Sequence, residues 1–256
     1  LMGRITETVK VLLIINVIFF LGSQFLLPNA VQLFGLWFPE NPNFHFWQPV
    51  THMFMHDQSS IFHILFNMYA LWAFGGPVEQ ALGRNKFIFF YFSAGLGAAL
   101  IHTLVGYYHY QAGYEVLINA GLTPAEIADT VNKAFTSIQQ SGQYSYPNVG
   151  EPEKIQGMIE AFSTSAVGAS GAIYGVLVAF GMLFPNAELF LIFLPIPIKA
   201  KFFMPGLILL DLFSGVTGFS IFGGNIANFA HIGGALFGFI MMWYWKKNSF
   251  NDKRWY

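Results

Sequence analysis

The chain has 256 residues, of which 55% are hydrophobic, 18% aromatic and only 10% charged. A soluble globular domain carries about 25% charged residues, so a water-facing surface of ordinary extent is excluded. The net charge of -1 leaves no basic face for nucleic acid, and the absence of cysteine removes disulfides, thiolate metal sites and a cysteine nucleophile together.

A membrane-crossing helix needs roughly 17–25 mostly apolar residues, and six stretches qualify in chain order. The first runs from about Val11 to Leu27. Pro28-Asn29 follows it rather than a small-residue cleavage site, so it reads as a span and not as a removable signal. The second, about Ser59 to Phe74, is expected to end at Gly75-Gly76-Pro77. The third is about Phe87 to Tyr107. The fourth, about Ala169 to Phe184, is stopped by Pro185-Asn186, and the fifth is about Phe202 to Val216. Both are short, which suits a locally thinned bilayer or helices that start below its surface. The sixth is about Asn228 to Trp245. Between the fourth and fifth, Leu189 to Ile198 contains Pro195 and Pro197 and is expected to be an interfacial loop, not a seventh span.

Positive charge orients the spans. Arg4 and Lys10 precede the first, Arg84 and Lys86 separate the second and third, Lys199 and Lys201 the fourth and fifth, and Lys246, Lys247, Lys253 and Arg254 follow the sixth. Only Lys133 and Lys154 fall on the other side. The expected location is a bacterial inner (plasma) membrane, with both termini cytoplasmic.

The segment 111–165, from Gln111 to Ser165, is not membrane-like. It joins the third and fourth spans on the outer side and holds Glu115, Glu126, Asp129, Glu151, Glu153 and Glu160. Thr123-Pro124-Ala125-Glu126 reads as a capping box with proline at the first helical position. Ile127, Val131, Phe135 and Ile138 then repeat at helical spacing, and Ile155, Ile159 and Phe162 suggest a second amphipathic helix. The segment is expected to lie on the surface and pack on the core or on lipid headgroups. The sharper alternative is a lid or a substrate-recognition element.

Polar groups inside spans are costly and mark candidate sites. The second, fourth and sixth spans all run from outside to inside. Ser170 lies about 14 residues, roughly 21 Å, above the inner end of the fourth, and His231 lies at a similar height on the sixth. His63 and Asn67 occupy the first two turns of the second. A serine hydroxyl is a weak nucleophile until a base takes its proton, and His231 is placed to be that base. Gly168 and Gly171 flank the serine and let a substrate backbone come close. His63 and Asn67, four apart, share a helix face and could both donate to an oxyanion. Gly234 and Gly238 form a small-xxx-small face on the sixth span, answered on the fourth by Gly171, Gly175 and Gly181.

These residues resemble the signatures of the rhomboid family. Gly168-Ala169-Ser170-Gly171 with Tyr174 is similar to its GxSG…Y motif, and His63-Ile64-Leu65-Phe66-Asn67 to its HxxxN. Ala230-His231-Ile232-Gly233-Gly234 with Gly238 resembles its AHxxGxxxG. Gly75-Gly76 with Glu79, and Trp47 ahead of His52 and His56, look like its flanking motifs. The resemblance implies an all-α membrane protein, a single rhomboid domain over residues 1–256. Its six-transmembrane-helix core would carry 111–165 as an extracytoplasmic amphipathic helical insert between helices three and four. It implies an intramembrane serine endopeptidase acting on transmembrane protein substrates within the lipid bilayer, without cofactor. Ser170 would be the nucleophile and His231 the base, a dyad without a carboxylate. His63, Asn67 and the Ser170 amide would form the oxyanion hole, and Tyr174 would stack beneath His231. The fifth span and the loop from Gly218 to Ala227 would be gate and cap. The family often has Trp-Arg where this chain has Trp47-Gln48, so the loop there is expected to be anchored differently, and the long outer segment implies different gating.

Other readings compete. Asp211 on the fifth span is a candidate third member of a triad, but its depth of about 15 Å from the inner face sets it below Ser170 and favours a structural or gating hydrogen bond. His52 and His56 could chelate a metal with His63, yet no HExxH is present and no metal site is expected. A catalytically silent relative that binds client transmembrane helices is the alternative function; such relatives lack the serine or the histidine. A transporter would show broken helices or charge near mid-membrane, where only Asp211 is found.

Overall fold

The computed structural model describes residues 5–191, 194–217 and 225–248. In chain order the helices are α1 (Glu7–Phe25), α2 (Ala30–Phe34), α3 (Gln48–Thr51), α4 (Ile61–Leu82), α5 (Arg84–Asn119), α6 (Pro124–Ser141), α7 (Pro152–Ser163), α8 (Ser170–Leu183), α9 (Ala200–Thr217) and α10 (Asn225–Asn248). A 3-10 turn at His52–Phe54 follows α3. An antiparallel pair, β1 (Glu188–Leu191) and β2 (Leu194–Lys199), lies between α8 and α9. Among the described residues α1, α4, α5 and α9 are long and apolar enough to cross a membrane, and α8 is a shorter apolar helix.

The start of α1 shows how the bundle closes its own ends. The first amides of any helix lack internal partners, and Thr6 supplies no side-chain cap. The buried carboxylate of Glu79 on α4 takes its place. It accepts from the Val9 and Thr8 amides at 3.2 and 3.4 Å and from the Thr8 hydroxyl at 2.6 Å, and the Thr6 hydroxyl donates to it as well. A buried carboxyl group is thereby satisfied by four donors, and α1 is fixed beside α4.

Helix α4 does not stop at Gly75-Gly76-Pro77. Pro77 forfeits one helical hydrogen bond, but the turn beyond it buries Val78, Glu79 and Leu82, and the helix runs on to Gly83, whose φ of 81° ends it. The third expected span is also longer than the sequence suggests. Helix α5 has 36 residues, about 54 Å of rise against roughly 30 Å of hydrocarbon. The stretch from Gln111 to Asn119, expected to begin a separate segment, continues this helix.

The far end of α5 carries a second apolar core. Leu117 meets Ile127, Val131 and Ala134 of α6 and Ile155, Met158, Ile159 and Phe162 of α7, with Phe38 beneath. The capping box at Thr123 and Glu126 is formed, with Gly142 in the left-handed conformation closing α6. Trp37 and Phe135 pack edge to face at 5.8 Å, and Asn41 donates to the Phe162 carbonyl at 2.7 Å, so α6 and α7 hold the irregular segment before α3 in place. The expected interfacial loop at Leu189 to Ile198 is instead the β1–β2 pair, registered Glu188 to Lys199; the chain is therefore not purely α-helical.

Helix α8 is the centre of the main core. Its residues Ala172, Ile173, Val176, Leu177, Ala179 and Phe180 are all buried. Glycine makes that burial possible. A Cβ on Gly171 would lie 2.4 Å from Ala98 Cβ, one on Gly234 1.8 Å from the Gly171 carbonyl oxygen, and one on Gly238 2.7 Å from Gly175 Cα. Gly181, expected to face α10, packs on Met204 of α9 instead.

Candidate active site

The start of α8 is built by its neighbours. Leu36 and Ala166 exchange two backbone hydrogen bonds of 2.9 Å, and the Gly168 amide donates to the His52 carbonyl at 2.9 Å. Gly168 has φ 130°, a conformation side chains rarely adopt. A Cβ placed there would lie 3.0 Å from His63 Nε2 and 3.4 Å from Ser170 Oγ. The hydroxyl and the imidazole of α4 therefore line one small space, which an alanine would partly fill. Ser170 is the first residue of α8, with no side-chain cap from Ala169, so the opening amides of the helix have no partner within it.

His231 on α10 reaches the same point. Its Nε2 lies 2.9 Å from Ser170 Oγ. Its ring stacks on Tyr174, centroids 4.4 Å apart and planes inclined by 10°. His63 Nδ1 accepts the Asp57 amide at 3.2 Å, which leaves the proton of the neutral ring on Nε2, facing Gly168. Asn67 donates one amide hydrogen to the His63 carbonyl at 2.7 Å, keeping a second for the cavity it lines. The structure thus brings together Ser170, His231, His63, Asn67, Tyr174, Gly168 and Gly171, with Gly234 at the helix crossing one turn deeper. Of the expected cap, Gly218 to Ala227, residues 218–224 lie outside the described residues, and residues 225–227 form the start of α10.

Gln48 takes the place where the family often has arginine. It is fully buried, donates to the Asn43 carbonyl at 2.7 Å and accepts from the Trp37 amide at 3.3 Å. The neutral amide ties the same irregular segment together from within.

Three features were not foreseen from the sequence. The Asp57 amide sets the His63 tautomer. Asp211 Oδ2 comes within 3.4 Å of His231 Nδ1, although its depth on the fifth span pointed to a position below the site. A mostly apolar cavity of about 3080 Å³ runs through the bundle; its lining includes Phe66, Asn67 and Ala70 of α4, Leu207, Leu210 and Asp211 of α9, and Ser170 and His231, together with residues of α5, β1 and α10. It is several times the volume of an ordinary small-molecule pocket, about 300–1,000 Å³.

His52 and His56 stand just ahead of α4. Burial holds both imidazoles down to about 4 from the ordinary 6.5. His52 Nδ1 faces the Gln48 carbonyl at 2.9 Å. The His56 ring is fully buried, with the Phe54 backbone and the His63 ring as its polar neighbours. The unfolded chain takes up these protons near pH 6.5 and the folded chain only near 4. The stability they contribute is therefore complete above about 6.5 and is lost as the pH falls toward 4. The thermal midpoint in detergent is expected to drop across that window, and His56→Gln to reduce the drop. A midpoint that stays level from 6.5 to 4 contradicts this.

The helical bundle, with a serine and a histidine in contact inside it, defines an integral membrane protein with an enclosed polar site. Comparison with protein-family models matches the Rhomboid domain over residues 43–150 and 151–248, two stretches that meet between α6 and α7. The chain belongs to the rhomboid family.

Proposed function

We propose that the protein is an intramembrane serine endopeptidase that cleaves transmembrane protein substrates at a site near the extracytoplasmic face. The observation that carries this reading is the 2.9 Å approach of His231 Nε2 to Ser170 Oγ. Ser170 Oγ attacks the peptide carbonyl carbon while Nε2 takes its proton. The tetrahedral oxyanion is met by the Ser170 amide, the His63 Nε2–H and the free amide hydrogen of Asn67. Collapse expels the amine, which receives the proton from His231, and leaves an acyl-enzyme that water hydrolyses by the same route in reverse. Substrate enters sideways between α4 and α9, where Phe66, Ala70, Leu207 and Leu210 line the cavity with apolar side chains that suit a helix leaving lipid. In this arrangement six spans, α1, α4, α5, α8, α9 and α10, cross the membrane with both termini cytoplasmic. The end of α5 with α6 and α7 stands outside, as an insert within a single domain.

The test is labelling and turnover together. A fluorophosphonate should modify Ser170 in the detergent-solubilised protein, and a model transmembrane substrate should be cut. His63→Ala and Asn67→Ala should each lower kcat by about 10²–10³-fold with little change in KM, because their donors act mainly as charge develops. Normal turnover in both variants removes them from the oxyanion hole. A wild-type chain that neither labels nor cleaves is a silent, client-binding relative.

A further inference from the structure

The proposed base has a second ring nitrogen whose surroundings the two-residue mechanism does not use. Nδ1 of His231 is buried and has no hydrogen-bond partner among the described residues. The charged group facing it is Asp211 Oδ2 at 3.4 Å, and that oxygen is buried and equally without a partner. One of these atoms can donate and the other can only accept. Buried polar atoms without partners are uncommon and costly. Closing a gap of a few tenths of an ångström into the usual range of about 2.7–3.2 Å satisfies both.

The contact joins three helices. Asp211 comes from α9, His231 from α10 and Tyr174 from α8. The tyrosine ring stacks on the imidazole, and its hydroxyl approaches the same carboxylate. Helix α9 is seated on α10 through Gly215, where a Cβ would lie 2.9 Å from the Phe229 ring. Leu207, Leu210 and Asp211 of α9 also line the large cavity that holds Ser170 and His231.

We propose that Asp211 is a positioning residue for His231, and that through it the seating of α9 sets the alignment of the catalytic base. The proposal rests on the reading of Ser170 and His231 as nucleophile and base. The carboxylate accepts the Nδ1 hydrogen of the neutral ring. That fixes the tautomer whose Nε2 lone pair faces the serine hydroxyl. When Nε2 takes the proton from Ser170 Oγ, the ring becomes a cation with the Asp211 carboxyl group still against Nδ1. The proton then leaves on the amine, and the ring returns to the same tautomer. Swinging α9 outward to widen the cavity withdraws the acceptor, so an open protein holds its base out of register until the helix is seated again.

The experiment compares wild type, Asp211→Asn, Asp211→Leu and Ser170→Ala in detergent. Turnover of a transmembrane substrate, the rate of fluorophosphonate labelling and the thermal midpoint are measured on each. Asp211→Asn has the same shape but can present the wrong group to Nδ1. It is expected to lower kcat on the order of 10–10²-fold with KM within about twofold, and to slow labelling in the same proportion. Its thermal midpoint is expected to stay close to wild type. Asp211→Leu should show at least the same loss of labelling; if that variant does not fold, the asparagine variant decides alone. Wild-type labelling and turnover in Asp211→Asn overturn the proposal. So does a loss that appears in KM or follows a fall in the midpoint, which would mark Asp211 as a packing group. The underlying reading fails separately: wild type that does not label, or Ser170→Ala that still cleaves, overturns the serine mechanism whatever the Asp211 variants do.

Discussion

Ser170→Ala is expected to abolish cleavage of a transmembrane substrate while the protein stays folded. One oxygen is deleted at the first residue of α8, where it lies 2.9 Å from His231 Nε2 and lines the cavity. If Ser170 is the nucleophile, turnover falls by on the order of 10⁴–10⁶-fold, the range seen when a member of such a unit is removed. His231→Ala should match it, and the double variant should be scarcely worse than either, because the two act on one proton. The measurement is the initial rate in proteoliposomes with the thermal midpoint as control. Turnover within tenfold of wild type in Ser170→Ala, at equal midpoint, rules the nucleophile out.

Gly234→Ala damages the fold and the site together. Its Cβ would stand 1.8 Å from the Gly171 carbonyl oxygen and 2.6 Å from the Gly171 carbonyl carbon. These are backbone atoms of α8, which no rotamer change can clear, so α8 and α10 must part by an ångström or more. Overpacking of this kind costs about 3 kcal/mol at the upper end of its usual range. The same displacement separates Ser170 from His231, and a misplacement of about 1 Å can cost 10²-fold in rate. A lower denaturation midpoint and at least a 10²-fold loss of turnover are therefore expected. Gly22→Ala on α1 is the control, since a Cβ there meets nothing within 4 Å. Should Gly234→Ala equal that control in both measurements, the close crossing of α8 and α10 is wrong.

Much of this protein can be read in one dimension. Apolar run length locates the helices, because a span must satisfy its own backbone in lipid. The start of α8 falls at Ser170, one residue from the sequence boundary at Ala169. The amphipathic spacing of Ile127, Val131, Ile155 and Ile159 names side chains that are buried in the outer core. The boundaries that sequence misplaces are those where packing outweighs local propensity. Pro77 should end α4, but three buried residues beyond it keep the helix going. Gln111 should begin a loop, but Leu117 has a core to enter and α5 runs on to meet it.

The sequence by itself determined that the chain is a membrane protein and where most of its long apolar helices lie, and it set the expectation that a serine, two histidines and an asparagine share one depth. Those follow from hydrophobicity, helical rise and charge bias, which are properties of short stretches. Only the tertiary structure decided which of these groups touch. Ser170 and His231 are separated by 61 residues and meet at 2.9 Å because glycines on α8 and α10 let two backbones come within contact distance. Depth along a helix says nothing of rotation about its axis or of tilt. For that reason Asp211 looked too deep to join Ser170 and His231 and was expected to make a structural or gating hydrogen bond, yet it stands 3.4 Å from the imidazole. Glu79 likewise reads as a flanking motif residue, and only the packing of α1 against α4 makes it the cap of another helix.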